Sequence, residues 1–279
     1  MPARPFKLGT TSFIFPDHIV PNVIKLGEFF DEIEILAFES QPAEVLPSKE
    51  DVKKLLYLSR ELGLTYNIHL PIDLSLTLDS KGKRQRAADT LLRVLDLFAP
   101  VKPSTHTLHL DMPPDMKNDI KNQKKLENWK DNTCQGLNAL LSKGLDPGMI
   151  SVETLDYPFF MIETLVEEFG LSVCIDAGHQ IKYGHNILKT FEKHKPRTSI
   201  IHLHGVVFYG PKILDHTSLD KLAESHMGKV VKILKNFTGV VSLEVFNKEN
   251  LNRSLNFLSQ VFKDIAPNIN DNRTKGKHQ

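Results

Sequence analysis

The chain of 279 residues is predicted to fold as one α/β domain, an eight-stranded (β/α)8 barrel spanning residues 1–266. Short, β-branched apolar runs alternate with amphipathic segments from end to end, which is the pattern of parallel strands joined by crossover helices. Six of those runs, TYNIHLP, THTLHLD, ISVETLD, LSVCIDAGH, SIIHLHG and VVSLEVF, carry a His, Asp or Glu at or just beyond their C-terminal end. That end is the rim where such barrels place their chemistry. An open, doubly wound sheet is the main alternative, but it would typically put a Gly-rich phosphate turn after the first strand, and GTTSFIFPDHI contains no GxGxxG.

In chain order the strands are expected at 7–15, 32–38, 65–70, 105–110, 150–154, 171–176, 199–204 and 240–246. Between the second and third, VKKLLYLSRELG repeats apolar residues at spacings of three and four; Ser48 and Asp51 offer a capping-box start and Gly63 a stop. The segments RAADTLLRVLDLFA, MIETLVEEFG, LDKLAESHMGKVVKILKNF and ENLNRSLNFLSQVF repeat the amphipathic pattern. Two connections stand out. DMPPDMKNDIKNQ after the fourth strand is mixed and Pro-rich, whereas GVVFYGPKILDHTSL after the seventh is apolar and aromatic. The latter reads either as a lid for a bulky substrate, with Phe208 and Tyr209 as substrate contacts, or as a loop packed on its own hydrophobes. The polar, aperiodic stretch 267–279 is expected to be a disordered tail, and its His278 carries no functional weight.

An apolar fraction of 41% supports a packed core, and a formal net charge of +1 gives no electrostatic footprint for nucleic acid or an anionic membrane. Only Cys134 and Cys174 are present, without a CxxC, so neither a disulfide framework nor a cysteine zinc site is expected. No signal-like h-region opens the chain and no run approaches membrane-span length, which reads as cytoplasmic. Nothing constrains the oligomeric state.

The chemistry rests on His69, His109, Glu153, Asp176, His179, His202, His204, His216 and Glu244. Imidazole nitrogens and carboxylate oxygens without thiolates suit zinc or manganese. One ion is satisfied by about four to six ligands, so this set could serve two or three, with Glu153 as a bridge. Such a centre generates hydroxide at neutral pH and stabilises phosphoryl oxygens, which predicts phosphodiester hydrolysis with no side-chain nucleophile. His202 and His204 share a strand face. His202 is read as the ligand and His204 as a substrate contact. His106 alternates with Leu108 and should face away from the site, while His185, His194 and His226 read as solvated. Glu39 could line the site or stand exposed, and Trp129 reads as helix packing.

With these residues in view, the chain resembles the xylose isomerase-like TIM barrel superfamily, in particular its endonuclease IV-type metal-dependent branch, over about residues 7–262. That resemblance implies metal ligands at His69 in NIHLP, His109 in LHLD, Glu153 in VETL, Asp176 and His179 in DAGH, His202 in IHLHG, His216 in LDHTSL and Glu244 in LEVF. Leu214 stands where that branch usually has an Asp, with Asp215 adjacent. Sugar isomerases and epimerases of the same superfamily hold one metal with a Glu, Asp, His, Glu set, which Glu153, Asp176, His202 and Glu244 also match. There, Glu153 and Glu244 would be the catalytic acid and base. A narrower similarity, in GTTSFIFPDHIVPNVIKLGEFFDEIEILAFES, LPS, NIHLPIDLSL and SVETLDYP, is to cobamide-remodelling phosphodiesterases of the CbiR type. It implies hydrolysis of the nucleotide-loop phosphoester of a B12-type cobamide to cobinamide phosphate and a base riboside, with a small-molecule partner and catalytic roles at Glu153 and Glu244.

Overall fold

The computed structural model describes residues 1–37, 39–40, 46–117 and 120–270. Eight parallel strands close a barrel: β1 Lys7–Thr11, β2 Glu32–Leu36, β3 Thr65–His69, β4 His106–Leu108, β5 Ile150–Glu153, β6 Ser172–Asp176, β7 Thr198–Leu203 and β10 Val240–Leu243. β8 (Gly205–Tyr209) and β9 (Lys212–Thr217) pair antiparallel as a separate hairpin after β7. Around the barrel run α1 Ile19–Leu26, α2 Lys49–Leu62, α3 Lys81–Phe98, α4 Pro114–Lys117, α5 Gln123–Leu141, α6 Glu163–Glu168, α7 Ala177–Lys182, α8 Ile187–His194, α9 Glu224–Leu234 and α10 Lys248–Ser259. β6 ends at Asp176 as expected, and the other seven strands stop one to four residues short of their expected C-termini, where the polar rim residues begin. No helix among the described residues is long and apolar enough to cross a membrane.

Local chemistry sets the helix ends. Ser48 and Asp51 form the expected capping box at α2, and Gly63 ends it in the left-handed conformation at φ 61°. Asn22 accepts from the backbone N–H groups of Ile14 and Phe15, tying α1 to the loop after β1. The 219–237 segment is not one helix: a 3-10 turn at Leu219–Lys221 precedes α9.

Alternation along the strands sorts two interiors. Ile33, Ile35, Ile68, Val152, Val173, Ile175, Ile201, Leu203, Val241 and Leu243 join the main core with the helices. The alternate positions face the lumen, and there the residues are polar: Glu32, Glu34, Asn67, Thr105, Ser151 and Ser242 are all buried. Cys174, Ile200 and Val240 form a small apolar cluster separate from the main core. Barrel lumens are ordinarily filled by branched apolar side chains, so this one depends on hydrogen bonds such as Thr105 to Ser151 at 2.5 Å and Asn67 to Glu32 at 3.0 Å.

Trp129 packs as expected, with its ring edge on Tyr157 and its Nε1 donating to the Asp111 carbonyl. His194 is a correction: it is buried and 2.8 Å from Glu163, because the amphipathic face of α8 turns it inward. The tail boundary also moves. Ile269 is buried and its N–H donates to Asn252, so packing continues past 266; residues 271–279, including His278, lie outside the described residues.

His106 faces away from the lumen, its Nδ1–H donating to the Met149 carbonyl at 3.3 Å. Burial lowers its pKa from 6.5 to about 4, against the smaller raising effect of that hydrogen bond. The folded state therefore holds it neutral, and the stability this confers is complete above the unfolded value and lost as pH falls from 6.5 towards 4. Between pH 7 and pH 5 its contribution should fall by about 2 kcal/mol. Urea denaturation at both pH values should show a shallower loss in His106→Leu; equal losses in the two proteins would contradict a buried, neutral His106.

Candidate metal centre

The rim residues converge on Glu153. The last residue of β5, it is buried at the top of the lumen, with Oε2 2.9 Å from His109 Nε2, 3.3 Å from His69 Nε2 and 3.6 Å from His202 Nδ1. Its Oε1 lies 3.1 Å from His179 Nδ1. One carboxylate thus meets imidazoles from the C-terminal ends of β3, β4 and β7 and from the first turn of α7. Burial pushes the Glu153 carboxyl up, but the imidazoles, His109 foremost, outweigh that and hold it well below the usual carboxylate range.

Asp176 ends β6 and caps α7, accepting the His179 N–H at 2.6 Å. Its two oxygens also stand 3.2 Å from His179 Nδ1 and 3.2 Å from His204 Nε2. Burial lowers the His179 pKa, yet Asp176 and Glu153 more than reverse this and carry it up to about 10. Across the mouth Glu244 Oε2 is 3.5 Å from His202 Nδ1 and 3.8 Å from His216 Nδ1. Burial raises the Glu244 pKa well above the carboxylate range; His202 opposes this, while Asp176 and Glu153 reinforce it.

His216 reaches this group from the hairpin. It holds a left-handed backbone, φ 48°, a costly conformation for a non-glycine residue. Three contacts compensate: its Nδ1–H donates to the Glu244 carbonyl at 3.0 Å, its backbone N–H donates to His204 Nδ1 at 3.0 Å, and its ring stacks on His204 at 4.0 Å. Asp215, the neighbour of His216, turns away to pair with Lys182 at 2.6 Å and so anchors the hairpin to α7.

The structure brings together His69, His109, Glu153, Asp176, His179, His202, His216 and Glu244, the eight residues read as ligands. His204, read as a substrate contact, has no exposed surface; it is wedged between Gly178 and His216 beside Asp176. Phe208 and Tyr209 lie on β8 and are exposed, as are Ile213 and Leu214 on β9. The apolar connection is thus a β-hairpin, its V-V-F-Y and K-I-L-D runs pairing around Gly210. Glu39 is exposed. Glu34 was missed: this lumen carboxylate lies 2.8 Å from His202 Nε2, and the only sequence signal is the pair of acids alternating with isoleucines in EIEIL.

These donors fit divalent cations. Buried Asp176 Oδ2, His179 Nδ1, His204 Nε2, Glu244 Oε2 and His202 Nδ1 have no hydrogen-bond partner, although polar atoms crowd around them. Ligands bound at about 2.1 Å sit about 3.0 to 3.4 Å apart along the edges of an octahedron or tetrahedron. The contacts of 2.9 to 3.6 Å around Glu153 are close to that spacing. Among the described residues, triads whose donor atoms lie within 4.8 Å of one another include His69–His109–Glu153, His69–His202–Glu244, Glu153–Asp176–His179 and His179–His204–His216, and Glu153–Cys174–His202 adds a thiol the sequence reading left out.

No curated protein matches the sequence. Among solved structures, a D-tagatose 3-epimerase-like protein superposes with a TM-score of 0.71 at 19% identity, covering 92% of this chain and 97% of that one. The IolI protein, solved with a bound zinc atom, gives 0.66 at 14% identity, with 94% and 99% covered. D-psicose 3-epimerase from Clostridium cellulolyticum H10 gives 0.61 at 15% identity, with 86% and 85% covered. At these identities the likeness is one of fold. Residues 22–261 match the family model described as xylose isomerase-like TIM barrel, nearly the whole barrel from α1 onwards. With a closed eight-stranded parallel barrel carrying its polar cluster at the strand C-termini, the chain belongs to the xylose isomerase-like TIM barrel family.

Proposed function

We propose that the centre is a divalent-metal site that hydrolyses a phosphodiester, and that the substrate is the nucleotide loop of a B12-type cobamide. The observation that carries the hydrolytic reading is the number of convergent donors: a single-ion site of Glu153, Asp176, His202 and Glu244 leaves His69, His109, His179 and His216 without a role, yet all four stand within 4 Å of Glu153 or Glu244. Eight ligands exceed the four to six one ion takes. Zinc or manganese ions bound here would supply Lewis acidity and charge stabilisation at the phosphoryl oxygens. Glu153 stands between the His69–His109 side and the His179 side and can hold both. Phe208 and Tyr209 offer exposed apolar surface on the hairpin that also carries His216, and the Lys182–Asp215 pair ties that hairpin to α7. The choice of cobamide rests on the resemblance to CbiR-type sequences alone; the solved structures that share the fold favour the second reading.

A second reading is sugar epimerisation on one ion, with Glu153 and Glu244 exchanging protons at a substrate carbon. It is supported by the names of the solved structures that share the fold, several of which are ketose 3-epimerases. Mass spectrometry separates the two. Protein loaded with manganese or zinc should convert cobamides to cobinamide phosphate and riboside. Intact cobamide, together with solvent deuterium entering a ketose carbon, would establish the epimerase instead.

A further inference from the structure

Two carboxylates project into the lumen from β2, and they are held differently. Glu32 accepts from Thr65 at 2.5 Å, Asn67 at 3.0 Å and Ser104 at 2.5 Å, a closed set of donors that accounts for it structurally. Glu34, level with Asn67 and one pleat below His69, is fully buried and accepts from a single hydroxyl, Ser242 at 2.5 Å. Its other oxygen points across the lumen to β7 and lies 2.8 Å from His202 Nε2. The opposite nitrogen of that ring, Nδ1, is the one near Glu153 and Glu244. The imidazole therefore spans from the Glu34 carboxylate below to the centre above. The thiol of Cys174 is also near this ring but is uncharged, pushed up by burial.

A neutral imidazole carries one proton, and the group facing one nitrogen decides which nitrogen presents its lone pair. We propose that Glu34 is a positioning residue: by accepting the Nε2–H of His202 it fixes the tautomer and ring orientation that present Nδ1 to a divalent cation shared with Glu153 and Glu244. The assignment rests on the centre holding a cation and is the same for hydrolysis and for epimerisation. It also explains the second lumen carboxylate, which the hydroxyl and amide donors around Glu32 do not reach: a buried carboxylate behind a ligating histidine raises the basicity of that ligand.

The test is equilibrium Co(II) binding to the full chain, followed by visible ligand-field absorption in competition with a chelator. Glu34→Gln should fold, as judged by circular dichroism, bind Co(II) about 10- to 100-fold more weakly, and show a shifted absorption band. Glu32→Gln, which alters a lumen carboxylate of equal burial away from His202, should lower the melting temperature without changing the Co(II) affinity or band. If Glu34→Gln does not fold, Ser242→Ala keeps the carboxylate but removes its anchor, and should weaken Co(II) binding by a smaller factor. Unchanged affinity and spectrum in the folded Glu34 variant, or in Ser242→Ala where that variant does not fold, would overturn the proposal, as would an equal loss in Glu32→Gln. A wild-type chain that takes up no Co(II) would instead overturn the metal centre, and this assignment with it.

Discussion

Glu153→Gln is expected to abolish tight cation uptake and to lower turnover by about a thousand-fold or more, the scale set by losing a metal-centred electrostatic effect. The substitution keeps nearly the same volume, so the barrel should persist. It removes the charge that faces His69, His109, His179 and His202 within 3.6 Å, and no neighbouring carboxylate can replace it. Asp176 is held by His179 and His204, and Glu244 approaches only His202 and His216. Elemental analysis of the purified variant alongside its rate of product formation is the check. Wild-type metal content with wild-type turnover would remove Glu153 from the ligand set, whichever reaction the centre performs.

Gly178→Ala should be nearly as damaging, against the usual sign for its position. Gly178 lies within α7, where alanine is ordinarily the better helix former by about 1 kcal/mol. Here a Cβ would stand 1.9 Å from His204 Cε1, 2.2 Å from Nε2 and 2.4 Å from Nδ1. The ring cannot retreat, because its other neighbour is the stacked His216 ring at 4.0 Å, itself tied to Glu244. Overpacking of this kind costs about 1–3 kcal/mol or more. Displacing His204 and His216 should also dismantle the His179–His204–His216 triad and reduce the metal bound. Urea denaturation and metal content should both fall. A variant as stable as the parent, with full metal content, would show that His204 has room to move and that the close approach is unimportant.

Much of this was legible along the chain. Each donor sits at or just past the end of a β-branched run, and because strands alternate with period two, the position of His69, Glu153 or Asp176 in its run already says that it faces the lumen near the rim. The capping box at Ser48, the stop at Gly63 and the packing role of Trp129 were equally readable, since a cap or an apolar helix face depends on residues a few positions apart. Glu34 was not readable in the same way. Its alternation with isoleucines shows that it points away from the outer core, but its partners Ser242 and His202 are far along the chain and across the barrel.

Local periodicity and side-chain chemistry are enough to specify the α/β alternation, the eight strands and the type of donor at the end of six of them. Contacts across the barrel settle the rest: that four histidines share Glu153, that His204 is buried behind His216, that Asp215 turns to Lys182, and that the aromatic connection is a hairpin. Those outcomes depend on the register in which strands close the barrel, which is set by contacts between residues far apart in the chain and leaves no periodic trace along it.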